Sequence, residues 1–306
     1  MDLDTLIITA FVTIDDALNA TLLARLGSER LRQRGPQPLL ADSEVLTIEA
    51  VGAYLKLEQD QEVFAYFRRH LIHLFPALAQ VGRTTFVRQA ANLWRVKEQV
   101  WQALCAQVLH DPQVSLVDSF PVPVCRFARA RRVCRLREHS AYGYDELAKQ
   151  TFFGLRAHLR VCWPGVIVGV CLTPANVHDL SAAQELLQQQ QGVVQGFVLA
   201  DRNYWSPPQQ QAWQEQGLRL LAPYRSKRRE PLPWPRSLVQ KRRRIETVIG
   251  QLVGRFAAKT VWARDGWHLW HLFSRWLRDV LSHTLCVLLC QQQGLPPLSF
   301  ARLLTH

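Results

Sequence analysis

Three carboxylates stand in contexts that a purely structural role explains poorly. Asp118 lies in VSLVDSFPVPVCRF, where an apolar, β-branched run carries one acid and then reaches Ser119, Pro121 and Pro123. Asp201 closes the short apolar run GFVLAD. Glu246 follows Arg242, Arg243 and Arg244 and sits beside an apolar stripe of Ile245, Val248, Ile249, Leu252 and Val253 at helical spacing. Desolvating an unpaired carboxylate costs several kcal/mol unless a cation or donors compensate. Three such acids, if the fold brings them together, suit phosphoryl transfer with two divalent ions. One ion would activate water or a 3′-hydroxyl, and the other would stabilise the leaving oxygen. Hard oxygen ligands favour Mg²⁺ or Mn²⁺ over Zn²⁺.

Cations cluster around these acids. Arg126, Arg129, Arg131, Arg132, Arg135 and Arg137 follow the first. Arg225, Lys227, Arg228, Arg229, Lys241, Arg242, Arg243 and Arg244 precede the third. With a net charge of +12 over 306 residues, the pattern points to a polyanionic partner, most simply nucleic acid. Such clusters neutralise phosphates and make binding salt-dependent. Tyr224, Trp234 and Trp262 are candidates to stack on an unpaired base, although core packing explains most tryptophans. Each acid alone also has a plain explanation. A strand-end Asp often caps a turn, and a helical Glu beside arginines is usually a solvated ion pair. Asp179, after His178, reads as a helix N-cap in preference to a fourth acid.

Other chemistries lack their signatures. The cysteines at 105, 125, 134, 162, 171, 286 and 290 form no CxxC pair and read as reduced, mostly buried thiols of a cytosolic protein. His70/His73 and His268/His271 have no third ligand nearby, and Cys286/Cys290 sit on an apolar helix, which argues against zinc. No GxxxxGK[ST] loop supports a nucleotide cofactor, and no G-x-S-x-G supports serine hydrolysis. The start, MDLDTLIITAFVTI, is acidic and unlike a secretory signal. The apolar segment near the C-terminus is broken by Arg275, Arg278 and Asp279, so it reads as a buried helix and not a membrane span. A soluble, cytoplasmic protein is expected.

The elements that must position the acids follow from periodicity. Residues 1–111 read as a helical domain, starting with one helix from Leu3 to Leu26 that Gly27 closes. A second helix is capped by Asp42 or Ser43, a third runs through DQEVFAYFRRHLIHLF to Pro76, and a long fourth is capped by Thr84 or Thr85. Short helices with basic loops suit a helix-turn-helix-like DNA-binding unit, or a structural cap. Residues 112–292 read as β-β-β-α-β-α-β-α, ending in the apolar helix, with 293–306 as a tail. The first strand is VSLVDSF, stopping at Ser119, and the next two form a hairpin turning at Trp163-Pro164-Gly165. Asp118 and Asp201 then mark the ends of the first and fourth strands. The class is α/β.

VDSFPVPVCRFARARR, YGYDELAKQTFFGLRAHL, LTPANVHD, AD-x-x-Y and RRRIETVIGQL together resemble bacterial insertion-sequence transposases, nearest to the insertion-sequence 982 group. The resemblance runs across nearly the whole chain. It implies an RNase H-like mixed sheet flanked by helices, preceded by the helical N-terminal domain. It also implies that Asp118, Asp201 and Glu246 are the DDE acids and the ligands of two Mg²⁺ or Mn²⁺ ions. The implied activity is nicking DNA at the element's inverted-repeat ends and joining the 3′ ends to target DNA, with a homodimer acting on two ends. Asn203 departs from the Gly common in similar proteins, and Asn tolerates left-handed backbone better than most residues. Two rival readings are a two-metal nuclease that does not join strands and a domesticated DNA-binding protein that has lost catalysis.

Overall fold

The computed structural model describes residues 1–26, 37–133, 136–188, 195–224, 234–261 and 269–304. The chain divides into a helical unit (1–109, 254–257 and 270–306) and a sheet unit (110–253 and 258–269).

In the sheet unit, β1 (Asp111–Pro123), β3 (Gln150–Trp163) and β4 (Val166–Pro174) are antiparallel, and β2 (Ala141–Asp145) pairs with the start of β3. On the other side of β1, β5 (Gly196–Leu199) and β6 (Leu218–Leu221) run parallel. The strand order is β2-β3-β1-β5-β6, with β4 also on β3. Helices α6 (Asp179–Gln188) and α7 (Pro207–Glu215) make the crossovers, and α8 (Arg236–Gly254) follows. This is the RNase H-like mixed sheet flanked by helices: three antiparallel strands, then two parallel ones. Ala182, Ala183 and Leu186 of α6 and Trp213 of α7 pack with Val117, Val198 and Leu220 of the sheet.

The first strand does not stop at Ser119. It continues through both prolines, with Pro121 opposite Arg156 and Pro123 opposite Gly154. The reason is one-sided pairing. β5 accompanies β1 only as far as Leu116. The Val124 N–H donates to the Phe153 carbonyl at 3.1 Å, so by two-residue alternation the nitrogens of 121 and 123 point away from β3. A proline whose nitrogen faces an unpaired edge removes no ladder bond. Strand β2, AYGYD, is absent from the sequence-based order, so GFVLAD supplies the fifth strand and not the fourth. Its Gly143 is required by crowding, because a Cβ there would meet the Ala175 Cβ at 2.8 Å.

The helical unit contains α1 (Leu3–Leu26), α2 (Asp42–Tyr54), α3 (Asp60–His70), α4 (Arg83–Asn92), α5 (Trp94–Gln107) and α9 (Leu269–Gln292). α1 is apolar and long enough to cross a membrane. Its buried residues, Leu6, Ile7, Ala10, Ile14, Ala17 and Leu18, form one stripe at helical spacing, as in a helix packed against a core. Several boundaries differ from expectation. α3 ends at His70, and Pro76 instead opens a 3-10 turn, Pro76–Ala79. The expected long fourth helix is two, broken at Leu93, and Gly82 occupies its N-cap position in place of Thr84 or Thr85. Neither Asp42 nor Ser43 caps α2; Glu44 does so by accepting the Ala41 N–H at 2.7 Å. α9 and residues 293–304 belong to this unit, not to the strands. From Trp276 to Cys290 every residue of α9 is buried, so it needs partners on all sides, which a helical bundle supplies.

Candidate active site

Strand register brings the first two acids together. Leu116 of β1 lies opposite Leu199 of β5 in parallel pairing. Two residues further on each chain are Asp118 and Asp201, on the same side of the sheet by alternation. The Ser119 N–H donates to Asp118 Oδ1 at 2.8 Å, and the Asn203 N–H donates to Asp201 Oδ1 at 2.7 Å. Asn203 lies in the 3-10 turn Arg202–Tyr204, so its tolerance of left-handed backbone is not called on. Burial pushes the Asp118 carboxyl up to about 7 against the Ser119 hydrogen bond, with the Asp201 and Asp179 charges adding to the push and Arg242 opposing it. Burial also raises Asp201 against the Asn203 hydrogen bond, with Asp179 and Glu146 adding and Arg242 opposing. Each carboxylate has one oxygen held by a backbone donor, and both anions are disfavoured by burial and by nearby acids. A hard divalent cation relieves both, so these two residues fit one.

Glu246 is placed differently. It lies on α8, where Ile245, Val248 and Leu252 are buried, and one residue's rotation carries it out of that face. Its side chain is 53% exposed and accepts a hydrogen bond from Arg242 Nη2 at 3.2 Å, one helical turn earlier. Arg242 is the cation acting on Asp118 and Asp201, so it links the third acid to the other two. Among the described residues, no group of three potential ligands is gathered as a metal site. The structure thus joins Asp118 and Asp201 and holds Glu246 one arginine away.

The cationic clusters divide in the same manner. Arg129, Arg131 and Arg132 are exposed on the 3-10 turn Phe127–Arg132, with Arg126 at its N-cap and Arg137 exposed beyond it. Lys241 and Arg244 lie over the Trp163 ring, 5.8 and 5.1 Å from its centroid, while Arg243 is exposed. Arg135, Arg225, Lys227, Arg228, Arg229 and Trp262 lie outside the described residues. Tyr224 packs against Trp205 with ring centroids 5.2 Å apart.

The sequence gives little warning of a polar layer behind Asp118. Asp179 does not cap α6. Its carboxylate accepts the Ser119 hydroxyl at 3.0 Å, and the Leu180 N–H goes to His178 Nδ1 at 3.2 Å. Arg156, His158 and Tyr204 complete the layer. The signals are present in LTPANVHD and AD-x-x-Y, but an Asp at a helix start has an ordinary explanation that hides this one. His73 binds Asp4 at 2.9 Å on the surface, and burial pushes the Cys286 and Cys290 thiols up, the latter to about 11.

Residues 110–258 match the family model of the transposase DDE domain. The chain carries a transposase DDE domain. The matched span opens one residue before β1 and closes just after α8, so it takes in all three acids. Among solved structures, a cryo-EM piggyBac transposase synaptic complex with hairpin DNA is similar, with a TM-score of 0.47 at 12% identity. It covers 96% of this chain and 76% of that one. No curated protein matches the chain. A DDE transposase depends on divalent metal, acts on DNA and is a phosphoryl-transfer enzyme.

Proposed function

We propose that Asp118, Asp201 and Glu246 are the three catalytic acids and metal ligands of this transposase, in a site for two Mg²⁺ or Mn²⁺ ions. The observation that carries the reading is the parallel register that sets Asp118 beside Asp201, both destabilised as anions. When bound, the ions would activate the attacking oxygen and stabilise the leaving one. The chain supplies the rest. The Ser119 and Asn203 N–H groups fix the orientation of the two aspartates. Arg242 neutralises part of their charge, and Glu246, now bonded to Arg242, would be the third ligand. The arginines of 126–137, the 225–229 segment and Lys241–Arg244 would track DNA backbone, with Arg243 best exposed for it.

The reaction is cleavage at the terminal inverted repeats of an insertion sequence of the 982 type and joining of 3′ ends to target DNA, by a homodimer in the bacterial cytoplasm and on the nucleoid. The helical residues 1–111 would contribute DNA binding. The half-exposed, arginine-paired Glu246 also suits the second reading, a DNA-binding descendant without catalysis or a nuclease without joining. A strand-transfer assay with paired element ends and Mn²⁺ separates these. Joined products that vanish in Asp201→Asn support the transposase. Hydrolysis without joining supports the nuclease, and binding alone supports the descendant.

A further inference from the structure

Directly behind Asp118 lies a buried polar cluster that the three-acid site does not use. Ser119 shares the face of β1 with Val117, which packs against α6 and Tyr204, whereas Asp118 points to the opposite face. On that rear face the Ser119 hydroxyl donates to Asp179 Oδ1 at 3.0 Å and accepts from Arg156 Nη1 at 3.3 Å. Asp179 is 12% exposed, with Arg156 Nη1 at 3.8 Å and His158 Nδ1 at 3.7 Å from the same oxygen. His158 stands opposite Ser119 in the β1–β3 register, is fully buried, and keeps Nδ1 without a hydrogen-bond partner. Tyr204 is 1% exposed, with its hydroxyl beside Ser119, and feels the charges of Asp179, Asp118 and Asp201. A buried carboxylate beside a His158 nitrogen that lacks a hydrogen-bond partner is costly to maintain and calls for an explanation.

We propose that Asp179 is a positioning residue for the metal site, holding Ser119 so that its backbone N–H orients Asp118 while its own negative charge draws cations to the aspartate pair. The inference rests on the reading of Asp118 as a metal ligand. Ser119 is the pivot, because its N–H serves Asp118 at 2.8 Å and its hydroxyl serves Asp179 at 3.0 Å. Locking the hydroxyl fixes the Ser119 backbone and hence the direction of the N–H. The charge acts from behind as well, since the Asp179 carboxylate is 12% exposed and stands one serine away from Asp118. A cation between those two is attracted by the third charge without touching it. Outer partners of metal ligands commonly govern affinity in this way.

The test uses the full-length protein without DNA, with Mn²⁺ affinity read by electron paramagnetic resonance of the free ion and thermal unfolding followed in parallel. Asp179→Ala is expected to weaken Mn²⁺ binding about tenfold, and Ser119→Ala, which keeps the Asp179 charge, to weaken it less. The double substitution should be no weaker than Asp179→Ala alone, because that change already breaks the relay through Ser119. Asp179→Asn keeps an acceptor for Ser119 and should recover part of the loss, the remainder measuring the charge. Wild-type affinity in a folded Asp179→Ala protein, or in Ser119→Ala if the former does not fold, overturns the inference. So do losses that simply add. Asp118→Asn serves as the control: if it leaves Mn²⁺ binding intact, the site reading fails and takes this inference with it.

Discussion

The two units of the transposase bury charge in opposite ways. In the helical unit the buried ions among the described residues have counter-ions at contact distance. Lys97 Nζ lies 2.8 Å from both Glu49 carboxylate oxygens and donates to Ser274 Oγ at 2.7 Å. Burial pushes the Glu49 carboxyl up and the Lys97 ammonium down, and each opposes the shift of the other. Arg278 donates to Asp279 at 3.0 Å and to Asp60 at 3.2 Å. His283 has no counter-ion and is held neutral instead, its pKa pushed down to about 3 by burial, with its ring edge-on to Phe300. In the sheet unit the pattern is inverted. Asp118, Asp201 and Asp179 act on one another, while Arg156 stands 3.8 Å from Asp179 and Arg242 opposes the shifts of the other two from its bond with Glu246. Closed pairs hold a fold in register. Carboxylates gathered in excess of their cations are prepared for one that arrives from solution.

That contrast can be broken most forcefully at its two centres. Asp118→Asn and Asp201→Asn should lower metal-dependent DNA cleavage by on the order of 10³-fold, several kcal/mol of transition-state stabilisation, while leaving the fold intact. Lys97→Met should do the reverse. Stranding Glu49 in the core should cost about 3–5 kcal/mol by denaturant unfolding. Lys97→Met with Glu49→Leu should restore most of it, since replacing both partners leaves no orphan charge.

pH sharpens the comparison. The Asp118 carboxyl titrates near 7 when folded and near the ordinary aspartate value when unfolded, so between these the folded state holds the extra proton. Metal-free stability should therefore fall as pH rises from about 4 through 7 and level off above. Asp118→Asn should remove that slope and be more stable than wild type at pH 8, which chemical denaturation with a metal chelator would show.

Smaller effects are expected further out. Arg242→Ala should change stability by less than about 1 kcal/mol, because its pair with Glu246 is half exposed. The same change should tighten Mn²⁺ binding in the absence of DNA, since a competing cation leaves the aspartates. Replacing Arg129, Arg131 and Arg132 by Ala should reduce the salt dependence of DNA binding by about 0.9 in the log–log slope for each DNA phosphate left without its arginine.

The legible parts of the fold are those written in local chemistry. Asp118 announces itself because an apolar strand has no structural use for a lone acid. The βαβα order after it follows from alternation and from proline-led helix starts such as Ser206-Pro207-Pro208. What stays hidden depends on partners distant in sequence. Pro121 and Pro123 read as a stop because nothing local says that β1 has a neighbour on one side only at that point. Chain order assigns α9 to the strands, although its all-round burial demands helices. The stripe of α8 correctly places Glu246 at an edge, but not whether that edge faces acids or solvent, a matter of roughly 100° per residue. Asp179 is obscured by a commonplace role it does not fill.

The central claim is that Asp118 and Asp201 form an anionic pair awaiting divalent metal. Mn²⁺ titration of the DNA-free full-length protein, wild type against Asp118→Asn and Asp201→Asn, tests it most directly. Wild type is expected to bind Mn²⁺ and each substitution to abolish that binding, with unfolding temperatures preserved. Equal Mn²⁺ binding by all three proteins would contradict it.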